Sequence, residues 1–187
     1  MNILNETNIA AFQLSKMVAS PWLNLAMQYI AESFLVVIPL LLIYMYLKKD
    51  KNVFSLVVLF FTLFVVGEVL KYIIQEKRPC SLHDLSWINY VGCESGYSFP
   101  SNHATVLTGI SLFTLSYRYV RILYLVWLIF VLFGRIYLGQ HYFTDVLAGV
   151  IISLAIAWPI YKYYSQKING PLKEIFCKIF HRSRICK

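Results

Sequence analysis

The sequence predicts an all-α membrane bundle: five transmembrane helices preceded by an amphipathic N-terminal helix lying at the interface. Three observations predict it. Of the 187 residues, 59% are hydrophobic and only 14% are charged, against about 25% charged in a soluble domain. Leu25–Leu47, Val53–Ile74, Val120–Leu138 and Phe143–Tyr164 are long apolar stretches. Each reaches the roughly 20 residues that cross about 30 Å of hydrocarbon at 1.5 Å rise per residue. Basic residues gather in alternate connections, the pattern that orients membrane helices.

The elements follow in order. Residues 1–24 differ from the rest. Met1 to Trp22 lacks the basic start and apolar core of a cleaved signal. Ile9, Phe12, Met17 and Val18 mix with Gln13, Ser15 and Lys16, which reads as an amphipathic interfacial helix. A short sixth transmembrane helix is the alternative. The fifth span, Ser101–Tyr119, is broken by Thr, Ser and Gly, which suits a helix packed inside the bundle rather than against lipid. One integral-membrane domain over residues 1–187 is the natural expectation for this length. It closes in a basic tail at 166–187.

The formal charge of +8 raises the question of nucleic acid or an acidic partner, and its placement answers it. Lys48, Lys49 and Lys51 lie between the first two long spans, and Arg118 and Arg121 precede the next. Lys162, Lys167, Lys173, Lys178, Arg182, Arg184 and Lys187 follow the last. With alternating spans all twelve fall on one side, predicted to be the cytoplasm of a multi-pass cell-membrane protein. Lys16, Lys71, Lys77, Arg78 and Arg135 fall on the other. The basic excess is a topology signal, and no nucleic-acid partner is expected.

That outer side collects the unusual polar residues. In "YSFPSNHATV", Ser101 is a good helix N-cap, and the first turn behind it presents unpaired N–H groups, an anion site beside which His103 projects. Taken alone, this is an ordinary cap with an incidental histidine. "KYIIQEKRP" places Lys71 seven residues before Arg78, so both cations share a face if the helix persists. In "GRIYLGQHYFTDVLAG", His141 and Asp145 are four apart and share a face if the last helix starts near His141. A carboxylate bonded to one ring nitrogen leaves the other free to attack or bind. Arg135 brings a planar cation to the same spot. As metal ligands His141 and Asp145 lack a third partner, so nucleophile and orienter is the better reading. Phosphate is the anion that fits such a set of cations, and the membrane setting makes it a lipid's phosphate.

Intramembrane carboxylates are functional candidates by default. Glu68, three residues before Lys71, is read as orienting that lysine, while Glu32 sits about a third of the way down the first span. Four cysteines form two pairs without zinc-site spacing: Cys80 with Cys93 in the long outer loop, Cys177 with Cys186 in the tail. The spacing of Cys80 and Cys93 permits a disulfide on an oxidising face, worth around 3 kcal/mol in the chain-entropy model. Two free thiols are the other reading.

"KYIIQEKRP", "PSNH" and "GRIYLGQHYFTD" together resemble the three signature motifs of the type 2 phosphatidic acid phosphatase superfamily, in matching order over about residues 68–150. "SFPSNHAT" and "GRIYLGQHYFTDVLAG" look most like the undecaprenyl-diphosphatases associated with bacitracin resistance. The resemblance implies a membrane phosphatase acting on polyprenyl diphosphate, without metal or other cofactor. It implies that His141 is the nucleophile forming a phosphohistidine, that Asp145 holds its ring, and that His103 is the general acid. Lys71, Arg78 and Arg135, with Ser101, Asn102 and the first N–H groups of the helix, would hold the phosphoryl oxygens. Phosphatidylglycerophosphate and phosphatidate are rival substrates, and a non-catalytic lipid-phosphate transporter is the rival class. Asn102 departs from the family's frequent Gly. Gly134 replaces the common Ser before Arg135, with expected loss of one hydroxyl contact to phosphate.

Overall fold

The computed structural model describes residues 3–50, 52–82 and 92–164. The expected basic tail, Cys177, Cys186 and Lys51 lie outside them. All the regular elements among the described residues are helical: α1 (Ile3–Val18), α2 (Pro21–Glu32), α3 (Phe34–Leu47), α4 (Val53–Ile74), α5 (Pro79–Leu82), α6 (Asn102–Ser111), α7 (Arg118–Tyr137) and α8 (Phe143–Pro159). A 3₁₀ turn, Leu112–Thr114, extends α6, and a π turn, Ile160–Tyr164, extends α8.

Among the described residues, four helical stretches are long and apolar enough to cross a membrane: Pro21–Leu47, Val53–Leu82, Arg118–Tyr137 and Phe143–Lys162. The first begins at Pro21 rather than Leu25, so part of the segment expected at the interface belongs to this span. Ser20 caps it, its hydroxyl accepting from Leu23 N, and Pro21 suits the first helical position because no partner is needed for its missing N–H. The stretch breaks at Ser33 between α2 and α3. There the Ser33 hydroxyl donates to Ile30 O at 2.6 Å and accepts from Trp127 Nε1 at 2.7 Å, so the break leaves no stranded polar group at that side chain.

The expected span Ser101–Tyr119 is much shorter than its sequence suggests. α6 with its 3₁₀ extension ends at Thr114, a length of roughly 20 Å against about 30 Å of hydrocarbon. Every residue from Ala104 to Thr114 is buried. A helix surrounded by protein tolerates Thr and Ser because their hydroxyls bond back to their own helix. Thr105 Oγ1 donates to Ser101 O at 2.9 Å, and Thr114 Oγ1 to Ser111 O at 2.7 Å. Small residues let α4 and α8 approach it. A Cβ at Gly109 would collide with Leu63 of α4, and one at Gly149 of α8 would meet Ala104 Cβ at 2.8 Å and Ser101 O at 2.9 Å. The main apolar core runs beneath, through Leu56, Leu59, Leu63, Leu107, Ile110 and Val131.

α1 packs against the start of α8, where Asn8 Nδ2 donates to Thr144 Oγ1 at 3.3 Å and Phe12 meets Tyr142 edge-on. Leu14 and Met17 stay exposed, as do Gln13 and Lys16. At the opposite end of the bundle Tyr117 donates to Asp50 at 2.7 Å, joining the α3–α4 connection to the start of α7. Lys48, Lys49, Arg118 and Arg121 therefore sit at one end, and α6 and α8 begin at the other.

Gly149→Val should force α6 and α8 apart, since the new methyl groups extend into the Ser101 carbonyl and Ala104. Overpacking of this kind costs about 1–3 kcal/mol, and a lowered midpoint of thermal unfolding in detergent is the expected result.

Candidate active site

Three helix ends and one loop meet at the far end of the bundle. α7 closes on a left-handed glycine: Gly139 has φ 65°, a conformation that suits glycine because no Cβ opposes it. The chain turns sharply there, and the N–H groups of Gln140 and His141 both donate to Arg135 O, at 3.1 and 3.2 Å. Arg135, in the last turn of α7, thus holds the backbone of His141 while its own side chain is 2% exposed. Asp145 lies in the first turn of α8, where Oδ2 accepts from Tyr142 N at 2.8 Å. Ser101 caps α6, and its N–H donates to Asp145 O at 3.2 Å, tying the two helix starts together.

Lys71 and Arg78 do not share a helix face. Gln75 is left-handed, with φ 55°, and its N–H closes on Lys71 O, so α4 stops at Ile74. Arg78 comes from the connection beyond it, held by Nη1 donating to Gln140 O at 2.9 Å. The pair is brought to one place by tertiary packing rather than by helical spacing. Lys71 pairs with Glu68 at 3.4 Å, the orienting contact expected of that carboxylate. Glu32 is exposed at the end of α2 and is not among the residues lining the cavity described below.

The partner of His141 also differs from expectation. α8 begins at Phe143, and His141 Nδ1 lies 3.7 Å from Asp145 Oδ2, too long for a hydrogen bond. Ser98 fills the gap. Its carbonyl oxygen is 2.9 Å from Nδ1, and its hydroxyl donates to Asp145 Oδ2 at 2.5 Å. An Nδ1–H donating to that carbonyl leaves Nε2 with its lone pair, and Arg78 Nη1 sits 3.3 Å from it. Burial first, then the charges of Arg135, Arg78 and Lys71, push the His141 imidazole well below its ordinary value. The ring is therefore neutral near pH 7.

Glu94 stands between the two guanidiniums: Oε1 is 2.5 Å from Arg135 Nη2, and Oε2 is 3.3 Å from Arg78 Nη2. Burial alone would raise its carboxyl, but the charges of Arg135 and Arg78 outweigh it and hold Glu94 below its ordinary value. Cys80 and Cys93 form a disulfide, with Cα atoms 5.6 Å apart. A cavity of about 210 Å³ joins the parts, lined by Lys71, Glu94, Asn102, His103 and His141 at its polar side and by Phe34, Phe60 and Phe64 at its apolar side. His103 stands edge-on to Phe34. Arg78 Nε, Arg135 Nε and His103 Nε2 are buried without a hydrogen-bond partner among the described residues.

The two departures from the family pattern now have explanations. Asn102 points toward α4, where Nδ2 donates to Glu68 Oε1 at 2.5 Å and the side chain covers Gly67. A Cβ at Gly67 would collide with it. The Cβ direction of Gly134 faces Met27 and Ala31 of α2, so a serine there would point at α2, and the expected loss of a phosphate contact does not arise.

The chain is similar to several known proteins. A family model described as the PAP2 superfamily matches residues 52–169. The chain belongs to that superfamily. An undecaprenyl-diphosphatase of Sulfolobus acidocaldarius is 27% identical over 141 residues, 74% of this chain and 66% of that protein. A lipid A 4'-phosphatase of Porphyromonas gingivalis is 31% identical over 126 residues, so the matched stretch spans about half of that relative's length, 52%. Phosphatidylglycerophosphatase B of Bacillus subtilis is 29% identical, covering 90% of this chain and 88% of its own. The crystal structure of a transmembrane PAP2 phosphatidylglycerolphosphate phosphatase from Bacillus subtilis superposes with a TM-score of 0.69 at 27% identity, over 90% of this chain and 89% of that one. Aquifex aeolicus LpxE, at 22% identity, has a TM-score of 0.69 over 83% and 94% of the two chains, a likeness of fold. The PAP2 chain described here is thus a multi-pass membrane protein of a family of lipid phosphatases.

Ser98, Glu94 and Gln140 were not singled out from the sequence. Ser98 and Gln140 lie inside the stretches "YSFPSNHATV" and "GRIYLGQHYFTDVLAG", beside residues that were, and Glu94 follows Cys93. Nearness to a motif was the available signal.

Ser98→Ala keeps the carbonyl that fixes the His141 tautomer and removes the hydroxyl that links it to Asp145. A hydrogen bond to a charged group is worth about 1.5–3 kcal/mol, so kcat for phosphate release should fall roughly 10- to 150-fold with the fold intact by circular dichroism. A wild-type kcat would show that Asp145 supports His141 without the serine.

Proposed function

We propose that this protein hydrolyses polyprenyl diphosphate to the monophosphate at the outer face of the cell membrane, through a phosphohistidine on His141. The carrying observation is the cavity itself, whose polar side holds His141, His103 and Lys71 while its apolar side is built from Phe34, Phe60 and Phe64. Phe64 is exposed on the apolar flank of α4. An amphiphile with a phosphate head and a hydrocarbon chain matches that polarity gradient. The likeness to an undecaprenyl-diphosphatase supports the choice of lipid. Phosphatidylglycerophosphate is the second reading, favoured by the longer match to phosphatidylglycerophosphatase B.

In this reading His141 Nε2 attacks the terminal phosphorus as the bond to the bridging oxygen breaks, and the lipid monophosphate departs. Burial first, then the charge of Arg135, holds the His103 imidazole well below its ordinary value as well. The phosphate anion bound beside it offsets that charge, so His103 takes up a proton in the complex and donates it to the departing oxygen where one is needed. Water then attacks the phosphohistidine, His103 takes its proton, and inorganic phosphate is released. Arg78, Arg135, Lys71 and the first N–H groups of α6 carry the charge on the phosphoryl oxygens. Fixed cations already supply that charge, so the reaction needs no metal. The alternating basic residues support a cytoplasmic C-terminus with the site on the opposite face.

Phosphate release from polyprenyl diphosphate, polyprenyl phosphate and phosphatidylglycerophosphate by the purified protein tests the assignment. The diphosphate should be the preferred substrate, and activity should survive EDTA. Loss on chelation with recovery in Mg²⁺ would overturn the metal-free mechanism. His141→Ala should abolish release from every substrate and the labelled phosphohistidine trapped by rapid quench. His103→Ala should reduce monoester cleavage more than diphosphate cleavage, within about 10²–10⁴-fold, because an alkoxide needs a proton more than a phosphate anion does. Equal losses would assign His103 to binding alone.

The pH profile follows from the depressed imidazole. Protonation of His141 removes the attacking lone pair, so activity falls as pH drops through the folded-state value. With that value pushed down, the acid limb of kcat/KM is expected below the ordinary histidine value of about 6.5. A limb at or above it would contradict a neutral nucleophile.

A further inference from the structure

Glu94 belongs to no motif of the sequence, yet its carboxylate makes the ion contacts that hold Arg135 and Arg78. Those side chains are 2% and 4% exposed, and without a counter-ion two buried guanidiniums would repel each other in a poorly solvated site. Glu94 is 38% exposed and lines the cavity with His141, His103 and Lys71. Its two oxygens bridge two guanidiniums, as two oxygens of a phosphoryl group can.

The backbone beneath this carboxylate is anchored. Gln140 Nε2 donates to Gly92 O at 2.9 Å, and Glu94 N donates to Gln140 Oε1 at 3.1 Å. Between these contacts Cys93 is bridged to Cys80, whose N–H donates to Gly139 O at 3.0 Å. The backbone at and just before Glu94 is thus tied to the turn that carries His141. The side chain can rotate away while its backbone stays in place.

We infer that Glu94 is an internal competitor for the phosphate seat: it neutralises Arg78 and Arg135 between turnovers, yields them to a phosphoryl dianion, and returns as inorganic phosphate leaves. The inference rests on the phosphatase reading, in which those two arginines hold the phosphoryl oxygens. Two anions cannot share the same pair of cations without strong repulsion, so the glutamate lowers phosphate affinity and speeds release of the product. Substrate affinity and product affinity are therefore set partly by a residue that takes no part in bond breaking.

The test measures inhibition of lipid-phosphate hydrolysis by inorganic phosphate in purified wild-type, Glu94→Gln and Glu94→Asp proteins. Glu94→Gln keeps the shape and removes the charge. The inhibition constant for inorganic phosphate should fall on the order of tenfold, KM should fall with it, and kcat should not rise. Inorganic phosphate should also raise the thermal midpoint of Glu94→Gln more than that of the wild type, since only the wild type already carries an anion on the two arginines. Glu94→Asp keeps the charge on which the fold depends and withdraws it by one methylene, so a smaller fall is expected. Hydrolysis with an unchanged or raised inhibition constant in both variants would overturn the role of Glu94 and leave the phosphatase reading intact. Absence of hydrolysis by the wild type would overturn the phosphatase reading, and this inference with it.

Discussion

Two guanidinium groups buried at one end of an apolar bundle set the terms for everything around them. Arg78 and Arg135 are almost wholly removed from solvent, and a buried charge is tolerated only with partners. The structure meets that demand from the elements that also build the site. Gln140 O accepts from Arg78, Arg135 O accepts the N–H groups of Gln140 and His141, and Glu94 contacts both side chains. The backbone carbonyl of Arg135 also holds His141 in place, while both arginine Nε atoms stay buried without a hydrogen-bond partner among the described residues. Burial, reinforced by the cations, keeps the His141 ring neutral, as the proposed nucleophilic role requires.

The second organising feature is the short helix α6. It carries Ser101, Asn102 and His103 at its N-terminus and is enclosed from Ala104 onward. Enclosure depends on small residues, because van der Waals contact rather than a hydrophobic drive holds helices together in lipid. Gly149 lets α8 reach the Ser101 carbonyl, and Gly67 makes room for the Asn102 side chain on α4. Residues that look like weak points in a membrane span are what bring the first turn of α6 against its neighbours.

Much of this could be read from residue types. The apolar stretches at 25–47, 53–74, 120–138 and 143–164 correspond closely to helical spans, and the catalytic candidates His103, His141 and Asp145 are all found at one end. The relations among them could not be read so directly. Helical spacing suggested that Lys71 and Arg78 share a face, but Gln75 turns the chain left-handed between them. It suggested a direct His141–Asp145 bond, but α8 starts two residues after His141 and Ser98 takes the bridging place. Glu94 had no periodicity or motif to mark it, since its partners are distant in sequence.

The sequence by itself determined the kind of molecule: hydropathy runs about as long as a bilayer requires, charges on alternate connections, and three motifs whose residue types suit a phosphate. Those are properties of single residues and their order, so no coordinates are needed to find them. Tertiary structure decided which atoms meet. It made α6 an enclosed helix of roughly 20 Å rather than a full span, gave the His141 tautomer to a backbone carbonyl, and set a carboxylate between two arginines. These outcomes depend on where helices end and on which loop atoms fill the gaps between them. They are contacts across 41 to 62 residues, as between Arg78 and Gln140, Ser98 and His141, or Glu94 and Arg135, and only folding brings such partners together.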